Sequence, residues 1–212
     1  RSTKKGGIAE TPRLICPTGF LDSSWFHRSH WTFGTSKAFG DPRTIGNRAP
    51  AGQMLAFNDQ AVYGYGRKPG YFMWTSPVEF RLFAADRPIE MIPLKFEGRQ
   101  PSQSYLRHPE RQVATRWERE IPLHAQAMVL AGDTLFVAGP PNITREGAPE
   151  TFLSRSRLKA HQSQQALEAW QGKSGSMLWA ISSQDGSTLA QYQLDALPIW
   201  DGMAAAQDKL FV

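Results

Sequence analysis

One cysteine, Cys16, stands in 212 residues, which excludes an intrachain disulfide framework and any cysteine-clustered metal site. Within Leu14-Ile15-Cys16-Pro17, a lone thiol reads as a small buried hydrophobe and not as a nucleophile. No run approaches the roughly 18 consecutive apolar residues of a membrane span. The opening Arg1-Ser2-Thr3-Lys4-Lys5-Gly6-Gly7 has no apolar stretch behind it and does not read as a signal peptide. No Gly-rich phosphate loop leads into a helix, and no Gly-x-Ser-x-Gly context presents a nucleophilic serine. A coherent basic stripe is also missing. The net charge is +5, but glutamates interrupt the clusters at Arg107 to Arg119 and Arg145 to Lys159. The sequence therefore predicts a solvated face and no nucleic-acid partner.

What is present is a turn-rich, aromatic chain. Eighteen Gly and fifteen Pro break it into short runs, and seven Trp with twelve Phe suit half-buried pleated surfaces. Strands are expected at Gln53 to Phe57, Ala61 to Gly66, Glu79 to Ala85, Trp117 to Leu123, Ala125 to Ala131 and Thr134 to Ala138. Gly64-Tyr65-Gly66 leads into Arg67-Lys68-Pro69 and reads as a turn at the end of its run. Two polar excursions, 97–115 and 140–176, interrupt the pattern. The second contains helix formers, so one short helix is expected within 161–171. Asp185-Gly186-Ser187 between two apolar runs is a hairpin signal.

Three hairpins repeat without internal gaps. Met54 to Tyr63, Met128 to Val137 and Met203 to Val212 align on Asp59, Asp133 and Asp208, giving spacings of 133 − 59 = 74 and 208 − 133 = 75. Each complete unit reads as four antiparallel strands in a meander. Such meanders repeated around an axis make a β-propeller, because one small sheet cannot bury both faces by itself. The expected fold is all-β: a β-propeller fragment of about two complete four-stranded blades, near 51–121 and 125–196. Partial blades flank these, the next one opens at 202–212, and one short helix sits in a loop insertion. Residues 1–12 read as flexible or as belonging to upstream structure, and the partial propeller occupies 13–212. The last run stops mid-strand at Val212, so the remaining blades are expected in the same chain.

The run Ala180-Ile181-Ser182-Ser183-Gln184-Asp185-Gly186-Ser187-Thr188-Leu189-Ala190 resembles the tryptophan-docking repeat of quinoprotein propellers, Ala-x-Asp-x-x-Thr-Gly-x-x-x-Trp. Ala180 and Gly186 match, while Ser182, Asp185 and Ala190 replace the Asp, Thr and Trp. With Trp25-Phe26-His27-Arg28-x-x-Trp31 and Ala49-Pro50-Ala51-Gly52-Gln53, the chain resembles bacterial PQQ-like β-propeller repeat proteins. That resemblance implies a propeller and a periplasmic or extracellular location. It would also allow a PQQ-dependent oxidoreductase using Ca²⁺, with an Asp base, an Arg near the quinone and a Trp floor. In that family a vicinal cysteine pair often covers the cofactor, and a single cysteine cannot supply it. No oxygen-rich ligand set converges at loop-compatible spacing either. His27 and His30 point to opposite sides of a strand, so they predict no metal site.

No cofactor and no catalytic residue are therefore predicted. The expected function is a non-catalytic scaffold or binding module for an unknown protein or carbohydrate ligand. The alternatives are a quinone oxidoreductase with its cofactor residues elsewhere, or a carbohydrate-presenting domain of a larger enzyme. The candidate ligand surface is Trp25, His27, Arg28, Tyr65, Arg67, Tyr71 and Trp74, because aromatics with Arg combine rigid area with polar handles. Trp179, inside an apolar run, is expected to fill a core.

Overall fold

A computed structural model describes residues 11–16, 31–35, 49–67, 80–94, 111–143 and 160–212. Strands β1 (Arg13–Ile15), β2 (Trp31–Gly34) and β3 (Ala51–Gly52) form a three-stranded antiparallel sheet. Strands β4 (Met54–Phe57), β5 (Ala61–Arg67) and β6 (Phe80–Asp86) then run as a meander. A short ribbon of β7 (Met91–Pro93) and β8 (Arg111–Val113) follows, and β9 (Trp117–Arg119) closes the sheet in the order β4-β5-β6-β9.

The next unit repeats the plan. Strands β10 (Ala127–Ala131) and β11 (Thr134–Gly139) precede the helix α1 (Ala160–Trp170). Then β12 (Ser176–Ser182) and β13 (Thr188–Leu194) complete the order β10-β11-β12-β13. A last hairpin pairs β14 (Ala204–Ala206) with β15 (Lys209–Phe211). Two four-stranded antiparallel sheets thus follow one another along the described chain.

The 74- and 75-residue repeat aligns the three hairpins, yet the first one turns one residue later. Ala131 pairs Thr134 and Ala206 pairs Lys209, leaving two-residue turns at Gly132-Asp133 and Gln207-Asp208. Those turns take positive φ at Gly132, Gln207 and Asp208, the geometry that matches strand twist in tight hairpins. The first hairpin pairs Phe57 with Val62 instead. There the Asn58 carboxamide accepts the Gln60 and Ala61 N–H groups, both at 2.9 Å, and this side-chain-built turn replaces the positive-φ pair.

Burial explains why the central strands read as apolar on both alternations. Along β11, Leu135 and Val137 enter one core with Tyr63, Tyr65, Leu82, Ala84, Trp179 and Ile181. Ala138 enters a second core with Leu178 and Met203, against which Phe136 and Leu210 pack. Successive side chains of a strand point to opposite faces, so the β10–β13 sheet is covered on both. One face meets β4–β9 and the other meets β14–β15. An antiparallel sheet more often leaves one face in water; here each sheet covers its neighbour. First strands also meet first strands, with β4 against β10 and β10 against β14.

Two sequence expectations need correction. Gly64-Tyr65-Gly66 is not a turn, because β5 runs on to Arg67 and all three residues pair with β6. A Cβ on Gly66 would meet the Ala51 carbonyl oxygen, and one on Gly64 would sit 2.5 Å from the Phe83 ring. Those glycines make room for close neighbours inside a strand. The 97–115 excursion is likewise not wholly irregular, since Arg111–Val113 pairs with Met91–Pro93 and Val113 is buried. The helix lies at Ala160–Trp170, one residue earlier at each end than the expected span.

Candidate functional site: an inter-sheet clamp and a loop face

Strand β9 is an edge strand of only three residues, and its side chains divide by the strand alternation. Glu118 points to one side, where its carboxylate accepts the Arg81 Nε–H at 2.7 Å. Arg81 is itself buried and lies over the Phe83 ring at 4.9 Å. Trp117 and Arg119 point to the other side, toward the Ser183–Ser187 turn of the following sheet. The Trp117 indole N–H donates to the Ser183 carbonyl at 3.0 Å. Arg119 donates to the Gly186 carbonyl at 2.5 Å and to Thr188 Oγ1 at 3.0 Å, with its guanidinium 5.4 Å from the Trp179 ring centre.

The receiving turn is built for this contact. Asp185 accepts the Ser187 N–H at 3.0 Å and the Ser187 hydroxyl at 2.8 Å, and the Gly186 N–H reaches the Ser182 carbonyl at 2.9 Å. The hydrogen bonds from the Ser187 backbone and from Ser182 and Ser187 hold the Asp185 carboxyl down at a pKa of about 2. Gly186 takes φ +74°, and a Cβ there would lie 2.7 Å from the indole. Any side chain at this position would therefore push Trp117 off the turn. Sequence reasoning looked for the docking tryptophan at position 190 and found alanine. The tryptophan seated on Gly186 comes from the preceding unit, 31 residues after Asp86 (117 − 86), where the β7–β8 ribbon hides the spacing.

The second feature is a face where the loops entering and leaving the strands converge. His124 N–H binds the Pro140 carbonyl at 2.9 Å, Asn142 N–H binds Pro122 at 2.8 Å, and Asp201 N–H binds Gln126 at 2.8 Å. The Ser176 hydroxyl donates to the Ala196 carbonyl at 2.7 Å, tying the end of the helical insertion to the 195–203 loop. Here His124, 6% exposed, stacks on Trp170 of α1 at 5.5 Å and 30°. Burial lowers its pKa to about 4, so the imidazole is neutral around pH 7. Burial likewise raises the Asp201 carboxyl above its ordinary value. Beside His124 and Asp201 lie exposed apolar surfaces at Trp170, Ile199 and Trp200, with Ile199 81% exposed. Such a face offers aromatic stacking beside a neutral imidazole.

At the opposite end of β10, a groove of about 640 Å³ separates the Ala131-Gly132 turn and Phe136 from the Ala205–Leu210 hairpin. Among the described residues no three His, Cys, Asp or Glu side chains come together as a metal-holding group. No helix among them is long and apolar enough to cross a membrane.

Of the sequence-predicted surface, Tyr65 and Arg67 lie among the described residues. Tyr65 is 2% exposed in β5, stacked on Phe80 at 5.5 Å, with its hydroxyl 3.5 Å from the Leu123 carbonyl. It belongs to the inter-sheet core and offers nothing to a ligand, because strand alternation carries it inward with Tyr63. Arg67 closes β5. Trp25, His27, Arg28, Tyr71 and Trp74 lie outside the described residues. Trp179 fills the core as expected, at 6% exposed, and Cys16 is half-buried. His124, Trp170 and Trp200 were not singled out from sequence. The Trp170 signal was its place at the end of a helix-forming run beside a strand-poor insertion.

The chain matches no protein-family model, no curated protein and no solved structure in the comparisons made. Fold and contacts define stacked antiparallel β-sheets, the first four-stranded sheet fastened to the second by Trp117 and Arg119.

Proposed function

We propose that the chain forms part of a β-propeller-type scaffold that binds a protein or carbohydrate ligand and carries out no reaction of its own. One observation carries this reading. The β10–β13 meander is buried on both faces, and Trp117 with Arg119 fastens the preceding meander to its turn. Sheets stacked this way, with first strands adjacent, have the local arrangement that propellers repeat around an axis. The exposed Trp170 and Trp200 beside buried His124 supply a recognition surface, since large rigid aromatics anchor binding at low entropic cost.

The alternative reading, a quinone-dependent oxidoreductase, would require a cofactor site assembled from residues the sequence does not present as a set. The two readings separate in one titration. PQQ with Ca²⁺ added to the protein, followed by absorbance, is expected to give the spectrum of free quinone at all ratios. A stoichiometric bound spectrum would overturn the scaffold reading.

A further inference from the structure

We infer that the insertion helix α1 is an acid-released latch, held against the loop face through the stack between Trp170 and His124. The helix has 11 residues, and isolated helices shorter than about 12–15 residues are marginal in water. It therefore depends on what it docks against. Ala169 is 2% exposed and Trp170 covers the imidazole, while Leu167 is 52% exposed.

Docking needs the imidazole uncharged. His124 is 6% exposed, and burial is the cause of its lowered pKa, with no charged partner contributing. Among the described residues the imidazole has no ion-pair partner, and the carboxyl groups on the neighbouring elements are those of Glu168, Asp195 and Asp201. On the helix, Glu168 accepts Gln164 Nε2 at 2.9 Å, and the Leu167, Glu168 and Ala169 carbonyls already accept the Gln171, Lys173 and Gly172 N–H groups. The 139–142 segment is Gly-Pro-Pro-Asn, with no titratable side chain. The 195–203 loop brings Asp195 and Asp201, and burial favours the neutral form of Asp201.

The sign follows from linkage. In the docked state His124 takes its proton only near pH 4, whereas a released imidazole takes it near 6.5. The released state thus binds more protons between those values. Docking is at full strength above about pH 6.5 and weakens by up to about tenfold per pH unit down to about pH 4, then levels off.

Hydrogen–deuterium exchange of the full chain, corrected for the intrinsic pH dependence of amide exchange, tests this. Between pH 7 and 4.5, protection of 160–170 is expected to fall by about a hundredfold, while 127–139 stays protected. In His124→Phe, which keeps a stacking ring and cannot titrate, helix protection is expected to be independent of pH. Equal loss in His124→Phe would assign the effect to groups other than His124 and overturn the latch. Simultaneous loss across 127–139 would mean acid unfolding of the whole sheet and would also overturn it. Should His124→Phe fail to fold, the NMR titration of the His124 ring protons decides: a midpoint near 4 supports the latch, and one near 6.5 contradicts it.

Discussion

Replacing Trp117 with alanine is expected to lower the unfolding free energy by about 3 kcal/mol, the low end for truncating a large aromatic because this one is half-buried. Its indole packs on Gly186, lies 6.3 Å from the Tyr63 ring and satisfies the Ser183 carbonyl. Trp117→Phe keeps much of the area and loses the hydrogen bond, so a cost of about 1 kcal/mol is expected. Gly186→Ala puts a methyl group into the indole and strains a positive φ. In the Trp117→Ala background only the backbone strain remains. The two single costs should therefore sum to more than the double-mutant cost, with coupling of about 1 kcal/mol or more by urea unfolding. Additive costs would mean that the two sheets are not clamped at this point.

Gly139→Ala is expected to be equally severe, although it adds one methyl group. Gly139 ends β11 and pairs with Met177 of β12. A Cβ there would overlap the carbonyl oxygen of His124, which is backbone and cannot rotate away. The Leu123–Gln126 segment would have to move, and it is held by the His124–Pro140, Gln126–Ala138 and Asp201–Gln126 hydrogen bonds. Overpacking against backbone places the expected cost at about 3 kcal/mol, the upper end of small-to-large substitutions. Thermal unfolding by circular dichroism reads it. A transition unchanged from that of the parent protein would show that the loop does not press on β11 as described.

The hairpins were legible in the sequence because their signals are local. Asp133 and Asp208 sit in two-residue turns between alternating apolar runs, and Asp185-Gly186-Ser187 makes its own hydrogen bonds. Four-stranded meanders then followed from the repeat. What escaped reading depends on contacts between units. The β7–β8 ribbon has three residues per strand and no hydrophobic period to detect. Tyr65 looked like loop chemistry because flanking glycines usually punctuate, whereas Gly66 yields space to the Ala51 backbone. Trp117 was read as the start of a strand, and its role became visible only once the turn it touches, 66 residues away, was placed beside it. His124 gave no signal, since burial under Trp170 belongs to the packing of an insertion against a loop.

The two four-stranded sheets stack with Trp117 of one seated on the Gly186 turn of the next. Proton NMR reads that contact directly, through the Gly186 α protons. They are expected to be shifted upfield by the indole ring, with nuclear Overhauser contacts to Trp117 and a slowly exchanging indole N–H. Random-coil shifts for Gly186, no contact to the ring and a freely exchanging indole N–H would contradict the stack.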